Sequence, residues 1–180
     1  MSAKFTPLAA LLSLSLLGAK CGDKGASKVG SSSSDPAASP ASQTQVDACS
    51  LLTPAEVEAV TGAKVTATKP KTYGANTTCN FEAANQLLPV VSLVLAGGMP
   101  EVKSSAEMAQ WRSKQGASFG DIKITIEPIE GLGVPAIRNE VEGAGLVTVE
   151  AAAKGKLLDV TTASLEMSKA LAPKAIARLP

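Results

Sequence analysis

Between Asp47 and Pro180 most of the segments that read as strands are joined by very short turns, and that spacing limits the fold more than any other feature. A parallel pair needs a crossover of a dozen residues or more, whereas an antiparallel pair closes over two. Val65 to Lys69, Thr77 to Ala83 and Leu88 to Ala96 are β-rich runs bounded by Pro70, by Gly74-Ala75-Asn76 and by Gly97-Gly98. Ile122, Ile124 and Ile126 alternate with Lys123, Thr125 and Glu127, which gives a strand with one apolar face. After the turn Gly131-Leu132-Gly133-Val134-Pro135, three more strands are expected at Ala136 to Glu142, Leu146 to Ala153 and Leu157 to Thr162. Gly143-Ala144-Gly145 and Lys154-Gly155 supply the hairpin turns between them.

Three helices interrupt the strands. Thr53-Pro54-Ala55-Glu56 is a capping box with Pro at the first helical position, Leu52 and Val57 occupy staple positions, and Gly62 fits the stop. A helix from about Pro54 to Thr61 follows, with Val57 and Val60 facing inward. Ser104-Ser105-Ala106-Glu107 is a second capping box, opening a helix from Ser105 to Gln115 that places Met108 and Trp111 on one face. Ser164 caps a last helix reaching Leu179, with Leu171, Ala172, Ala175, Ile176 and Leu179 as its apolar stripe; Pro173 should kink or break it. The order α-β-β-β-α-β-β-β-β-α has too few long crossovers for a parallel sheet. The expected class is α+β, an antiparallel sheet with about three helices packed mainly on one face.

The first 46 residues do not belong to this domain. Lys4 precedes fifteen uncharged residues, Phe5 to Ala19, rich in Leu. That is the length of a signal-peptide core, whereas a spanning helix needs about 20 apolar residues. Leu17-Gly18-Ala19-Lys20-Cys21 resembles the lipobox of bacterial lipoproteins, in which the Cys receives a diacylglycerol and the chain is cut just before it. Lys20 stands where the usual pattern has Gly, Ala or Ser. Cleavage after Ala19 is the alternative, and would give a soluble periplasmic or secreted protein. Residues 22 to 46 are mainly Gly, Ser, Ala, Lys, Asp, Pro and Gln with no apolar periodicity, a disordered tether with a mean reach of about 28 Å. The organisation expected is a signal peptide (1–20), a lipidated Cys and tether (21–46) and one domain (47–180).

Composition excludes several function classes. The chain has no His, so His-based triads and nearly all catalytic zinc sites are excluded. Net charge is +1, and the chain from Cys21 onward carries 15 basic and 16 acidic residues, which disfavours nucleic acid as a partner. Five aromatics are too few for a base-stacking platform. No cofactor is implied: Gly131-Leu132-Gly133 lacks the third Gly and the following helix of a dinucleotide fingerprint. No SxxK motif occurs, and the one GxSxG spacing, Gly116 to Gly120, has no His to activate its Ser. Among carboxylates, Glu56 and Glu58 are two apart on a helix and do not face each other, whereas Glu127 and Glu130 flank Pro128 near a loop and could be neighbours. Tyr73, before Gly74, is the aromatic expected to be exposed.

Three Cys remain to be accounted for. With lipid on Cys21, Cys49 and Cys79 form an even remainder in an oxidising compartment, which is what one disulfide requires. The alternative, a redox or metal pair, has no CxxC, no His and no third Cys in the domain to support it. Cys49-Ser50-Leu51-Leu52-Thr53-Pro54-Ala55-Glu56-Val57, then Gly62, then Cys79-Asn80-Phe81, resembles the opening of small bacterial envelope lipoproteins of the DUF3558 group, and Glu130-Gly131-Leu132-Gly133-Val134-Pro135-Ala136 resembles a turn in such proteins. The resemblance implies an α+β fold with an antiparallel sheet, a lipid anchor and no established enzyme activity. The expected function is a non-catalytic binding or accessory module, held at the cell envelope through lipid on Cys21 and on the outer membrane in particular. It would take an envelope protein or a small-molecule ligand in a groove beside the sheet, with Tyr73, Glu127 and Glu130 as candidate binding residues. A His-independent hydrolase using carboxylates is the alternative.

Overall fold

The computed structural model of the chain describes residues 45–116 and 123–180. The expected signal peptide, Cys21 and all but the last two residues of the tether lie outside them, as do residues 117–122. A 3-10 turn (Ala48–Ser50) leads into α1 (Pro54–Thr61), followed by β1 (Val65–Tyr73), β2 (Asn76–Ala83), β3 (Val91–Gly97), α2 (Ser105–Gly116), β4 (Ile124–Ile129), β5 (Ala136–Val141), β6 (Val147–Ala153), β7 (Lys156–Thr162) and α3 (Leu165–Ala177). The strands form one seven-stranded sheet in the order β1-β2-β3-β7-β6-β5-β4, antiparallel at every pairing. The α+β class and the element order are those read from the sequence, with the 3-10 turn as an addition.

Alternation along the strands separates two faces. Cys79, Phe81, Val91, Leu93, Leu158, Val160 and Val149 point to one side and are fully buried. Val57 of α1, Leu171, Ala172 and Ala175 of α3, and Leu51 and Leu52 ahead of α1 close over them. Each buried Leu or Phe contributes about 1.5–3 kcal/mol relative to exposure. On α2, by contrast, Arg112 reaches Glu150 and Gly116 lies against Ile126; both partners project from the opposite side of the sheet. Two of the three helices thus share the dry face, and the third covers the β4–β5 end of the other. Beyond it, the second face is open over β3 and β2.

Differences from the expected boundaries have local causes. β1 continues past Lys69 through Pro70 to Tyr73, and β4 includes Pro128. Both are edge strands, where a residue without an N–H interrupts no second ladder. β3 begins at Val91 instead of Leu88, leaving Leu87 and Leu88 exposed in the β2–β3 connection. Pro173 does not break α3, which runs on to Ala177. It sits on the exposed side, while Ala172, Ala175 and Leu179 are buried, and that burial offsets the lost helical hydrogen bond.

Two ties fasten the amino-terminal segment to the body. Asp47 caps the 3-10 turn by accepting from the Cys49 N–H at 2.9 Å, and Cys49 is bridged to Cys79 on β2 with a Cα–Cα distance of 5.0 Å. Thr53 and Glu56 form the capping box. The Glu56 carboxylate is also gripped by both terminal nitrogens of Arg178, just past α3, at 2.7 and 2.9 Å, and Arg178 donates to the Leu51 carbonyl at 2.9 Å. The guanidinium, seconded by the Thr53 N–H, holds the Glu56 carboxyl down at about 2. Its contribution is therefore present above the unfolded value near 4.5 and is lost as the pH falls toward 2.

Acid titration of thermal stability checks this: Glu56→Gln lowers Tm by a few degrees at neutral pH, and the gap from wild type closes between about pH 4.5 and pH 2. Opening the bridge with Cys49→Ser and Cys79→Ala removes a closed loop of about 30 residues and costs about 3.6 kcal/mol in the chain-entropy account. Denaturant unfolding of that variant measures the loss.

Candidate functional site

The site is built on the hairpin of β6 and β7. Its two-residue turn is Lys154-Gly155, with φ of 51° and 71°; positive values at both positions match the right-handed twist of the flanking strands. The Lys154 ammonium donates to the Leu179 carbonyl beyond α3, which holds this end of the hairpin. Counting back from the turn pairs Ala151 with Leu158, Glu150 with Asp159 and Thr148 with Thr161. Because Val149, Ala151, Leu158 and Val160 fill the dry face, Thr148, Glu150, Asp159 and Thr161 must point to the other. Two carboxylates so come to lie directly opposite one another on adjacent central strands.

Like charges across a strand pair are unfavourable, and burial sharpens the effect. Glu150 is 1 % exposed. Arg112 of α2 approaches its Oε1 with Nε at 3.0 Å, and Asn139 of β5 donates Nδ2–H to the same oxygen at 2.6 Å. Both donors therefore gather on Oε1. Among the described residues, Glu150 Oε2 and Asp159 Oδ1 are shut from solvent without a hydrogen-bond partner. Burial first, and then the Glu150 charge, push the Asp159 carboxyl up to about 7, with Arg112 pulling part of the way back. Thr148 and Thr161 satisfy each other, Oγ1 to Oγ1 at 2.8 Å.

These groups line a cavity of about 260 Å³ on the open side of α2. Val94, Val141, Ala144 and Leu146 complete its wall. An apolar pocket with a few converging polar groups, one strongly perturbed, is the usual form of a small-ligand site. Two other cavities differ in character. One of about 340 Å³, lined by Leu88, Pro89, Val90, Leu146 and Met167, is mainly apolar. The other, of about 480 Å³, lies where α2 starts beside the β4–β5 loop and includes Glu130.

The residues singled out in the sequence are scattered. Cys49 and Cys79 are joined to each other. Tyr73 is 64 % exposed at the end of β1, and Glu127 is on β4; these are the two edges of the sheet, about 29 Å apart at ordinary strand spacing. The Glu127 carboxylate accepts from Arg138 at 3.2 Å, and Arg138 also binds Glu140. Glu130 follows β4 in the loop, away from that cluster's pairing. Met108 is buried under α2, and Trp111 is half-buried. Cys21 lies outside the described residues.

Glu150, Asp159, Arg112 and Asn139 are the functional candidates that sequence reasoning missed. A signal for the first two was present: Lys154-Gly155 reads as a two-residue turn, and equal steps back and forward from it land on Glu150 and Asp159. Arg112 and Asn139 carry no such signal, because only the packing of α2 and β5 brings them there.

A folded pKa above the unfolded value means that the native state holds its proton where the unfolded state has lost it, so stability falls as pH rises from about 4 to about 7. Asp159→Asn removes that penalty and offers Nδ2 as a donor to Glu150. Its Tm should exceed wild type by roughly 5 °C or more at pH 8, with the gain vanishing near pH 4. Differential scanning calorimetry across that range measures it; a gain independent of pH contradicts the assignment.

No curated protein matches the chain. A family profile described as a protein of unknown function, DUF3558, matches residues 16–170. That match spans most of the sequence, and the chain belongs to the DUF3558 family.

Proposed function

We propose that this chain is a non-catalytic binding module tethered at the cell envelope by lipid on Cys21, on the outer membrane, and that it takes a small ligand in the cavity between α2 and the open half of the sheet. One observation carries the binding half of this reading: Glu150 Oε2 and Asp159 Oδ1 are buried and unsatisfied, on two residues that line a cavity of about 260 Å³. Buried acceptors without donors are unfavourable for the empty protein, and a ligand that supplies donors relieves them. The anchoring half is supported by the order of positive charge, fifteen-residue uncharged run and Cys in the first 21 residues, and by the tether that follows. The family match includes Cys21 and the tether. Among the described residues no helix is long and apolar enough to cross a membrane.

A second reading, a His-independent hydrolase, is favoured by the same pair. A carboxyl held near 7 beside another carboxylate is the pattern of a general acid with its partner. Weighing against it, Glu150 Oε1 is occupied by Arg112 and Asn139, and the cavity is small for a polymeric substrate. Hydrolysis of glycan or ester substrates abolished by Asp159→Asn would put this reading first.

Two measurements test the proposal. Mass spectrometry of the mature protein should find an amino-terminal Cys21 carrying diacylglycerol, and Cys21→Ala should shift the protein from the membrane to the soluble fraction; an unmodified terminus at Lys20 ends the anchor. Thermal shift of the full chain against a panel of neutral, anionic and cationic small molecules should find a stabilising compound whose effect is lost in Val94→Phe, which fills the cavity. If no class stabilises the protein, the binding reading fails.

A further inference from the structure

With both acids ionised, the charges around the cavity do not balance. Glu150 on β6 and Asp159 on β7 face one guanidinium, Arg112 on α2. The remaining elements against Asp159 bring no charge: β3 supplies Val94, its register partner, and β5 supplies Asn139. Arg112 and Asn139 both serve Glu150 Oε1, so the open valences are Glu150 Oε2 and Asp159 Oδ1, both acceptors when ionised. The cavity lacks one cation and the hydrogen-bond donors that go with it.

Size and chemistry narrow what fills that place. The volume, about 260 Å³, is below the range of about 300–1,000 Å³ for drug-sized ligands and far below what a folded partner needs. Among the described residues no three His, Cys, Asp or Glu side chains gather as a metal-ligand set, and a guanidinium in contact with Glu150 opposes a second compact metal charge. An ammonium group brings one charge and three donors. Val94, Val141, Ala144 and Leu146 form an apolar wall that suits the carbon body attached to it.

We propose that this cavity binds a small primary amine, with its ammonium donating to Glu150 Oε2 and Asp159 Oδ1 and its short alkyl body against Val94 and Leu146. The assignment rests on the binding-module reading and deepens it by naming the ligand class. Because Asp159 holds its proton to about 7 in the empty site, the ammonium must displace that proton. Binding therefore strengthens as pH rises through neutrality.

Calorimetric titration of the full chain in detergent with n-butylammonium tests this, with n-butanol and butyrate as neutral and anionic probes of similar size. Saturable binding of butylammonium is expected at pH 8, at least roughly tenfold tighter than either control and at least roughly tenfold weaker at pH 5. Asp159→Asn, whose fold is certified by its calorimetric transition, should weaken it by roughly tenfold or more. Val94→Phe should abolish it while leaving the carboxylates in place. No saturable binding of butylammonium, equal binding of butanol, or unchanged affinity in Asp159→Asn overturns the amine assignment. If another compound of the wider panel still stabilises the wild type and not Val94→Phe, the binding module stands and only the ligand class is wrong.

Discussion

The register of the central strands is the constraint from which both core and site follow. Side chains alternate across a sheet, so shifting β7 by one residue against its neighbours would turn Leu158 and Val160 out and bring Asp159 into the dry core. Burial of Val149, Ala151, Leu158 and Val160 against α3 makes that slip prohibitive. Once the apolar set is fixed, the positions of Thr148, Glu150, Asp159 and Thr161 are fixed with it. The acid pair is held in place by residues on the opposite side of the same two strands, and needs no flexible loop to position it. That is the support a binding constellation requires, since a site on regular strands is more precisely placed than one on loops.

The dry face is closed by segments from both ends of the domain. The 3-10 turn and α1 come from its start and α3 from its end, and Arg178 joins them across 127 residues by donating to Leu51. The disulfide adds a covalent tie at β2. Both edge strands carry a proline, which discourages further strand addition at either side. Closure is thus concentrated on one face, while the other is covered only where α2 crosses β4 and β5. The cavity exists because α2 stops short of covering β3 and β7, and because Arg112 reaches inward from its margin to Glu150.

How much of this is legible in the sequence depends on whether the signal is local. α1 is readable to the residue, because Thr53, Pro54, Glu56 and Gly62 each act within one turn of it. The hairpin turns are readable for the same reason. Boundaries fail where tertiary context overrides local preference: Pro70 and Pro128 are tolerated because their strands have only one neighbour, and Pro173 because the helix around it is packed on the sheet. Leu87 and Leu88 look like strand and are not, since pairing of β2 with β3 ends at Val91. The site was half legible. Hairpin counting reaches Glu150 and Asp159, but a search along helices and loops leads instead to Glu127 and Glu130. Nothing local tells that α2 crosses to the second face with Arg112.

The acid pair also bears on why such a site exists at all. The core is complete without it: Phe81, Val91, Leu93, Val149, Leu158 and Val160 are fully buried on the dry face, and neither Glu150 nor Asp159 contributes to that burial. Arg112 repays part of the desolvation of Glu150, but one cation cannot serve two carboxylates that each have an unpartnered oxygen sealed from water. Asn or Thr at position 159 would keep the strand, the register and the packing of Leu158 and Val160, and would avoid the repulsion. A structural role therefore does not account for Asp159. A local arrangement that opposes stability, placed rigidly on central strands and facing a cavity, is what a protein that stores binding energy for an incoming cation would have.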